Sequence, residues 1–157
     1  EASYATETDY RTEVKVGDFE GNIQDNYFVT AQQIEGYSTA KSANIVDARS
    51  QARFDSEVPE PREGLRSGHI PNSVCLPFAQ VLNDGKLRTQ QELIEIFSTI
   101  EIAPSQPMFF SCGSGVTACI ILLAAKLAGY TGEMGVYDGS WTEWGANEKL
   151  PIAVTEK

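Results

Sequence analysis

Apolar residues in this chain occur in short continuous runs, separated by stretches in which they recur with helical spacing. A continuous apolar run of about four residues is typical of a strand whose two faces are both covered. Such runs predict strands at Asn44–Asp47, residues 73–76, Met108–Ser111 and residues 135–137. Strands that alternate with helices imply right-handed crossovers. We therefore predict the α/β fold class, with a parallel sheet and helices on both faces.

Capping signals place helices between these strands. A Thr followed three residues later by Gln or Glu forms a capping box at a helix N-terminus. Thr30 with Gln33, and Thr89 with Glu92, therefore predict two helix starts. A further helix is predicted at residues 117–128, which are largely apolar and are followed by a glycine that can end the helix.

The first residues of the chain differ from the rest in charge and pattern. Residues 1–26 carry seven acidic and two basic side chains and show little apolar periodicity. We predict an acidic arm or inter-domain linker there, and a single domain over residues 27–157. The chain begins without Met and without a signal pattern, which we interpret as a fragment of a longer protein or a processed chain.

The net charge and the cysteine and histidine content indicate which partners, compartment and metal sites to expect. The formal net charge of -10 argues against nucleic acid and against anionic membrane surfaces, since both require clustered Lys and Arg. Three cysteines, an odd number without short-range pairing, favour a reducing compartment, cytoplasmic or mitochondrial. The single histidine and the lack of a C-x-x-C motif predict no metal site.

The candidate chemistry lies in the segment Cys112-Gly113-Ser114-Gly115, which follows a predicted strand and precedes a helix. Ligand crevices of parallel sheets lie beyond the carboxyl ends of the strands. Glycines can aim backbone N–H groups at one point, and a helix N-terminus adds further donors and a positive dipole end. Such a cradle is expected to stabilise a thiolate on Cys112 and make it a nucleophile. The other two cysteines, Cys75 and Cys119, are predicted to pack in the core.

Residues 112–118, Cys-Gly-Ser-Gly-Val-Thr-Ala, resemble the active-site loop of the rhodanese superfamily. The resemblance is closer to the 3-mercaptopyruvate sulfurtransferase loop than to the thiosulfate sulfurtransferase loop, which typically has basic residues where this chain has Gly113 and Ser114. Further matching motifs are Asp47-Ala48-Arg49, Gly68-His69-Ile70-Pro71 and Asp138-Gly139-Ser140-Trp141. The resemblance covers approximately residues 27–150 and points to the C-terminal, catalytic domain of a tandem-domain sulfurtransferase.

The resemblance implies a sulfurtransferase that carries sulfur as a persulfide on Cys112. The donor is 3-mercaptopyruvate or thiosulfate, the acceptor is a thiol such as thioredoxin, or cyanide, and no cofactor is required. Arg53 and Arg62 match the residues that bind the substrate carboxylate and carbonyl. Ser114 matches a loop serine with a proton-relay role, although a plain turn residue is an equal alternative. The remaining substrate-binding positions are those of the loop: Gly113, Gly115, Val116 and Thr117.

The family usually combines two such domains, with the active site at their interface. An N-terminal rhodanese domain of the same polypeptide is therefore an implied partner, and turnover by this chain alone is expected to be weak or absent. Two alternatives stay open. A cysteine phosphatase or arsenate reductase is disfavoured because it needs an Arg that closes the loop, where this chain has Ala118. A non-catalytic rhodanese module that only binds a partner is the other.

Several conspicuous side chains are predicted to be structural. His69 is expected to anchor the turn before the second strand rather than act as a base. Asp47, at a strand end, is expected to hydrogen-bond neighbouring loops. Trp141 and Trp144 are expected to pack in the core.

Overall fold

The computed structural model describes residues 17–21, 27–103 and 105–155. Most of the predicted acidic arm, residues 1–26, lies outside the described residues. Within that arm, residues 17–21 are exposed and have no regular secondary structure.

Seven strands and five α-helices are present in the described residues. The strands are β1 (Phe28–Val29), β2 (Asn44–Asp47), β3 (Ser73–Cys75), β4 (Leu82–Asn83), β5 (Lys86–Leu87), β6 (Met108–Ser111) and β7 (Met134–Tyr137). The α-helices are α1 (Ala31–Ala40), α2 (Gln51–Phe54), α3 (Gln90–Phe97), α4 (Val116–Leu127) and α5 (Ser140–Trp144). A 3-10 helix spans Phe78–Val81.

The sheet confirms the predicted α/β class. Five strands pair in the order β1-β7-β6-β2-β3, and every pairing is parallel. The remaining two strands, β4 and β5, form a separate antiparallel hairpin. The four predicted strands are confirmed to within one residue at their ends, whereas β1, α2 and the hairpin are too short to show an apolar period.

Helices cover both faces of the sheet, as predicted, and each face has its own apolar core. Neighbouring residues on a strand point to opposite faces, so Phe110 packs beneath α3 and α4 while Phe109 packs with α1 and α5. Trp141 and Trp144 are fully buried in the second core, which confirms their predicted structural role.

Both predicted capping boxes are present. The Thr30 and Thr89 hydroxyl oxygens each accept a hydrogen bond from the backbone N–H three residues on. In turn, the side-chain oxygens of Gln33 and Glu92 accept a hydrogen bond from the backbone N–H of the threonine. The helix predicted at residues 117–128 is α4. It begins one residue earlier than predicted, at Val116, and ends at Leu127, two residues before Gly129, whose φ is +100°.

The strand order brings three loops together at one edge of the sheet. The strand β6 lies between β2 and β7, and Asp47 pairs in register with Ser111 at the carboxyl ends of β2 and β6. The loops that follow β2 and β7 therefore flank the cysteine loop that follows β6. Within the described residues, every helix is too short or too polar to cross a bilayer.

Candidate active site

Cys112 follows β6 directly and lies at the base of its loop. It is only 2% exposed and packs in the core beneath α3 and α4. Its carbonyl oxygen accepts a hydrogen bond from the Trp141 N–H at 2.9 Å, which joins the start of the loop to α5. Because the thiol lies below the surface, only a small molecule could reach it beside the loop.

The Ser140 hydroxyl contacts both ends of the cysteine loop. Its oxygen accepts the N–H of Cys112 at 3.0 Å and the N–H of Gly115 at 3.1 Å. It donates to the Tyr137 carbonyl oxygen at 2.7 Å, and it lies 4.0 Å from the Cys112 Sγ. The sequence motif contained Ser140 but offered no signal for this contact, because 28 residues separate it from Cys112.

Gly115 is required where the loop turns into α4. Its φ is +80°, and a Cβ there would lie 2.6 Å from the Asp138 Oδ1. Its N–H, expected to point toward the substrate, instead donates to Ser140. The first turn of α4 adds N–H groups that a helix leaves without internal acceptors.

A cavity of about 160 Å³ lies beside the loop. It brings together four residues that the sequence analysis selected from distant segments: Arg53, Arg62, Gly113 and Ser114. It also contains residues that were not selected, notably Glu60 and Thr142. A cavity of this size, walled by two cations, suits a small anionic molecule.

Arg53 is held against the loop by Glu60. Its Nη2 forms an ion pair with one Glu60 oxygen, and its Nε donates to the other at 3.2 Å. A Cβ added to Gly113 would lie 3.3 Å from the Arg53 Nη2, so the loop glycine allows the guanidinium to approach closely. The Arg53 side chain stays 24% exposed and lines the cavity.

Glu60 belongs to a buried chain of alternating charges that ends at the cavity. Its side chain is 1% exposed and pairs with the Arg49 Nη1 at 2.8 Å. Arg49 in turn pairs with Asp47 at 2.7 Å, donates to the Gly68 carbonyl and lies over the Trp141 ring at 4.2 Å. The Asp47 carboxylate thus bonds Arg49, two residues further along the same segment, and it is Arg49, not selected from the sequence, that reaches the neighbouring loop at Gly68.

Arg62 reaches the loop through Thr142. Its Nη1 donates to the Thr142 hydroxyl oxygen at 2.9 Å, and that hydroxyl donates to the Gly113 carbonyl at 2.6 Å. The Thr142 N–H donates to the same carbonyl at 2.9 Å. This arrangement fixes the orientation of Gly113 and links the exposed Arg62 to it.

The other predicted loop residues lie further out. Ser114 is exposed and lines the cavity. Val116 is 71% exposed and Thr117 is half-buried on the first turn of α4, and neither lines the cavity.

The two remaining cysteines differ from each other. Cys75 is half-buried, and burial followed by the nearby Asp47 charge raises its pKa to about 12, so this thiol stays protonated at neutral pH. Cys119 is exposed, so its predicted place in the core is wrong. The buried stripe of α4 consists of Ala118, Ile121, Ala124 and Ala125, and Cys119 points away from it.

His69 is structural, as predicted. It is buried, its Nδ1 lies 2.9 Å from the Phe54 carbonyl oxygen, and its ring stacks on the Phe54 ring at 3.8 Å. Its backbone forms a β-bridge with Ala153. It therefore joins α2, the turn before β3 and the C-terminal segment.

One family pattern, described as the rhodanese-like domain, matches residues 30–147. The chain belongs to this family. Its rhodanese-like domain is 41% identical to thiosulfate/3-mercaptopyruvate sulfurtransferase 1, mitochondrial, of Arabidopsis thaliana, over 88% of this chain and 36% of that protein. It is 39% identical to the 3-mercaptopyruvate sulfurtransferase of Escherichia coli strain K12, over 89% of this chain and 50% of that protein.

The rhodanese-like domain also resembles solved structures. It aligns with the crystal structure of SseA from Escherichia coli with a TM-score of 0.68 and 36% identity, covering 82% of this chain and 47% of that one. SseA is described as a 3-mercaptopyruvate sulfotransferase with the rhodanese fold. The chain thus spans about half or less of the length of these relatives.

Proposed function

We propose that this rhodanese-like domain takes sulfur from 3-mercaptopyruvate as a persulfide on Cys112 and passes it to a thiol acceptor. The observation that carries the proposal is the cavity in which Arg53 and Arg62 stand beside the Cys112 loop. The relatives support a sulfurtransferase reaction: that of Escherichia coli is named for 3-mercaptopyruvate, and that of Arabidopsis thaliana for both thiosulfate and 3-mercaptopyruvate.

The donor carboxylate would bind between the two arginines. Guanidinium groups form parallel hydrogen bonds with a carboxylate, and both side chains line the cavity. Gly113 and Ser114 add no positive charge to the loop, so the arginines are the cations near the substrate. Glu60 already pairs with Arg53, so the charged side chains that line the cavity sum to a single positive charge. A monocarboxylate with a neutral thiol suits this charge balance better than the dianion thiosulfate, which is the second donor to test.

The reaction breaks the C–S bond of the donor and forms an S–S bond. The Cys112 thiolate attacks the donor sulfur, and the carbon leaves with the bonding electrons as the enolate of pyruvate. A proton on that carbon gives pyruvate, and Cys112 holds an anionic persulfide. An acceptor thiol then takes the outer sulfur as its own persulfide and regenerates the Cys112 thiolate.

The protein stabilises the charge that develops on sulfur. The N-terminus of α4 directs its positive dipole end and its unpaired N–H groups at the loop. Such fixed donors act as an oxyanion hole does, because they are oriented before the reaction begins. Ser114, exposed at the rim of the cavity, is suited to exchange a proton with a bound donor.

The proposed acceptor is a thiol such as thioredoxin or a small thiol, with cyanide as a test acceptor. The second proposed partner is an N-terminal rhodanese domain of the same polypeptide, since the relatives are two to three times as long as the matched segment. A reducing compartment, cytoplasmic or mitochondrial, is consistent with the three free thiols.

The direct test is mass spectrometry of the chain after exposure to 3-mercaptopyruvate or thiosulfate. We expect the mass of one sulfur atom to be added and peptide mapping to place it on Cys112, with 3-mercaptopyruvate the faster donor. Cys112→Ser serves as the control and should gain nothing. Sulfur found only on Cys75 or Cys119 would contradict the proposal, and hydrolysis of a phosphate ester would favour the phosphatase alternative instead.

A further inference from the structure

We propose that Ser140 is a positioning residue for the nucleophile, whose hydroxyl fixes both ends of the Cys112 loop and becomes a hydrogen-bond donor to the ionised sulfur. This inference rests on the proposed sulfur transfer at Cys112. It assigns to the loop after β7 a part in the chemistry of the loop after β6.

The contacts of Ser140 use the full capacity of its hydroxyl. A serine hydroxyl has one proton to donate and two lone pairs that accept. Here the lone pairs accept the N–H groups of Cys112 and Gly115, and the proton goes to the Tyr137 carbonyl at 2.7 Å. The two amides stand at the first and last positions of the turn, so one oxygen atom sets the width of the loop.

The backbone conformation at Ser140 would suit glycine better, which indicates that the serine hydroxyl has a role of its own. Its φ is +48°, in the left-handed region that favours glycine, and the residue is fully buried. Glycine would adopt this backbone at lower cost and leave no polar side chain to bury. The serine is compensated by its three hydrogen bonds, each of which involves the cysteine loop or the strand beside it.

The hydroxyl also stands next to the reacting atom. Its oxygen lies 4.0 Å from the Cys112 Sγ, just beyond an ordinary hydrogen bond to sulfur. When Cys112 carries negative charge, rotation about the Cβ–Oγ bond can redirect the proton from the Tyr137 carbonyl to the sulfur. The proton stays on the serine, so no net transfer occurs, and the N–H groups continue to anchor the oxygen.

The test compares Ser140→Ala and Ser140→Gly with Ser111→Ala in the whole chain. Ser111 is the matched control because it is buried one residue before Cys112, and its hydroxyl has no partner in the described residues. We measure the single-turnover rate of persulfide formation over a range of 3-mercaptopyruvate concentrations. Both Ser140 variants should lower the rate at saturation by about tenfold or more, with the half-saturating concentration changed less than twofold.

Each alternative outcome overturns the proposal. A Ser140→Ala rate within twofold of the unmutated chain would show that the hydroxyl is dispensable. A normal rate in Ser140→Gly would show that only the backbone conformation matters. Ser111→Ala should behave as the unmutated chain, and an equal loss there would assign the effect to packing near the loop. Thermal unfolding establishes that each variant is folded at the assay temperature.

Two further measurements separate this inference from the proposed function. Alkylation of Cys112 by iodoacetamide needs no sulfur donor, so a slower reaction in the Ser140 variants supports the positioning role even if no donor loads the unmutated chain. In the unmutated chain, the amide protons of Cys112 and Gly115 should exchange slowly with solvent, because both are hydrogen-bonded. Rapid exchange of the Gly115 amide would overturn the geometry without any variant.

Discussion

Glu60 illustrates how a single residue ties the cavity to the core. Its buried carboxylate pairs with Arg49, which is fully buried, and with Arg53, which lines the cavity. Removing one partner from a buried ion pair leaves an uncompensated charge in a medium of low polarity. We therefore expect the charge network at this site to contribute to the stability of the fold as well as to the position of Arg53.

We expect Glu60→Gln to lower the free energy of unfolding by about 3 kcal/mol. The reason is that Arg49 stays buried while it loses half of its charge compensation. Chemical denaturation measures the change. Glu63→Gln is the matched control, since Glu63 is exposed three residues away, and it should change stability by less than about 0.5 kcal/mol. Equal stability of the Glu60 and Glu63 variants would contradict the inferred role.

Site residues were predicted from the sequence where a local motif contains them. They were missed where their position in the site depends on contacts between segments that are distant in the sequence. Arg53 and Arg62 were selected through motifs and line one cavity with Gly113 and Ser114 of the cysteine loop, whereas Cys112 is buried at the base of that loop and does not line the cavity. Ser140 and Thr142 act through hydrogen bonds to residues 25 to 29 positions away, which no local pattern encodes. Glu60 resembles an ordinary loop acid until the fold brings Arg49 and Arg53 to it.

At the scale of elements, the two capping boxes differ in one useful way. The box of α3 uses an ionisable residue, Glu92, whereas that of α1 uses Gln33. The hydrogen bonds from the Thr89 hydroxyl and N–H lower the pKa of Glu92 below its usual 4.5. A carboxyl whose pKa is depressed by folding stabilises the fold above its unfolded pKa, and that contribution is lost as the pH falls through the folded pKa.

We expect Thr89→Ala and Thr30→Ala each to lower the free energy of unfolding by about 1 kcal/mol at neutral pH. Below about pH 4.5 the two variants should diverge, because protonation of Glu92 already weakens the α3 cap and leaves less for Thr89→Ala to remove. The Thr30→Ala loss should not vary with pH in that range. An NMR titration should also show the pKa of Glu92 rising toward 4.5 in Thr89→Ala; an unchanged value would contradict the assignment.

Element-scale prediction succeeded where periodicity is strong. The apolar runs at Asn44–Asp47 and Met108–Ser111 match β2 and β6 residue for residue. Prediction failed for Cys119, because α4 is apolar on its outer side as well: Leu123 and Leu127 are both substantially exposed. On such a helix, hydrophobicity alone does not tell which residues face the sheet.

At the scale of the whole molecule, the site lies at a surface. Arg62 and Ser114 are exposed, so the cavity opens outward beside the loop. The relatives have about twice the length of this chain or more, and the N-terminal domain proposed as a partner would be expected to cover this opening. The proposed loading of Cys112 and the proposed repeated turnover would therefore depend differently on such a domain.

We expect this chain to form the Cys112 persulfide in a single turnover but to release pyruvate slowly under steady-state conditions. The physical reason is that an open cavity excludes water poorly and orients the donor and acceptor less well than a closed one. Mass spectrometry after a single turnover measures persulfide formation, and a continuous assay of pyruvate on the same sample measures the steady-state rate. Robust steady-state turnover by the chain alone would contradict this expectation.

The fold class was predictable because strands and helices alternate regularly along the chain. Apolar strands alternating with helices allow few arrangements other than a covered parallel sheet. The strand order was not predictable, and it decides which loops become neighbours. The strand β6 lies between β2 and β7. The ion pairs that begin at Asp47 therefore reach the cysteine loop from the β2 side, and α5 reaches it from the β7 side.

The hydrogen bonds between the cysteine loop and α5 have a consequence for protein engineering. Backbone and hydroxyl groups at Ser140, Trp141 and Thr142 hold Cys112, Gly113 and Gly115 from a separate stretch of sequence. The cysteine loop therefore depends on a second segment for its conformation. Anyone who grafts it onto another scaffold must carry residues 138–142 with it, since the first segment alone would arrive without the partner that gives it shape.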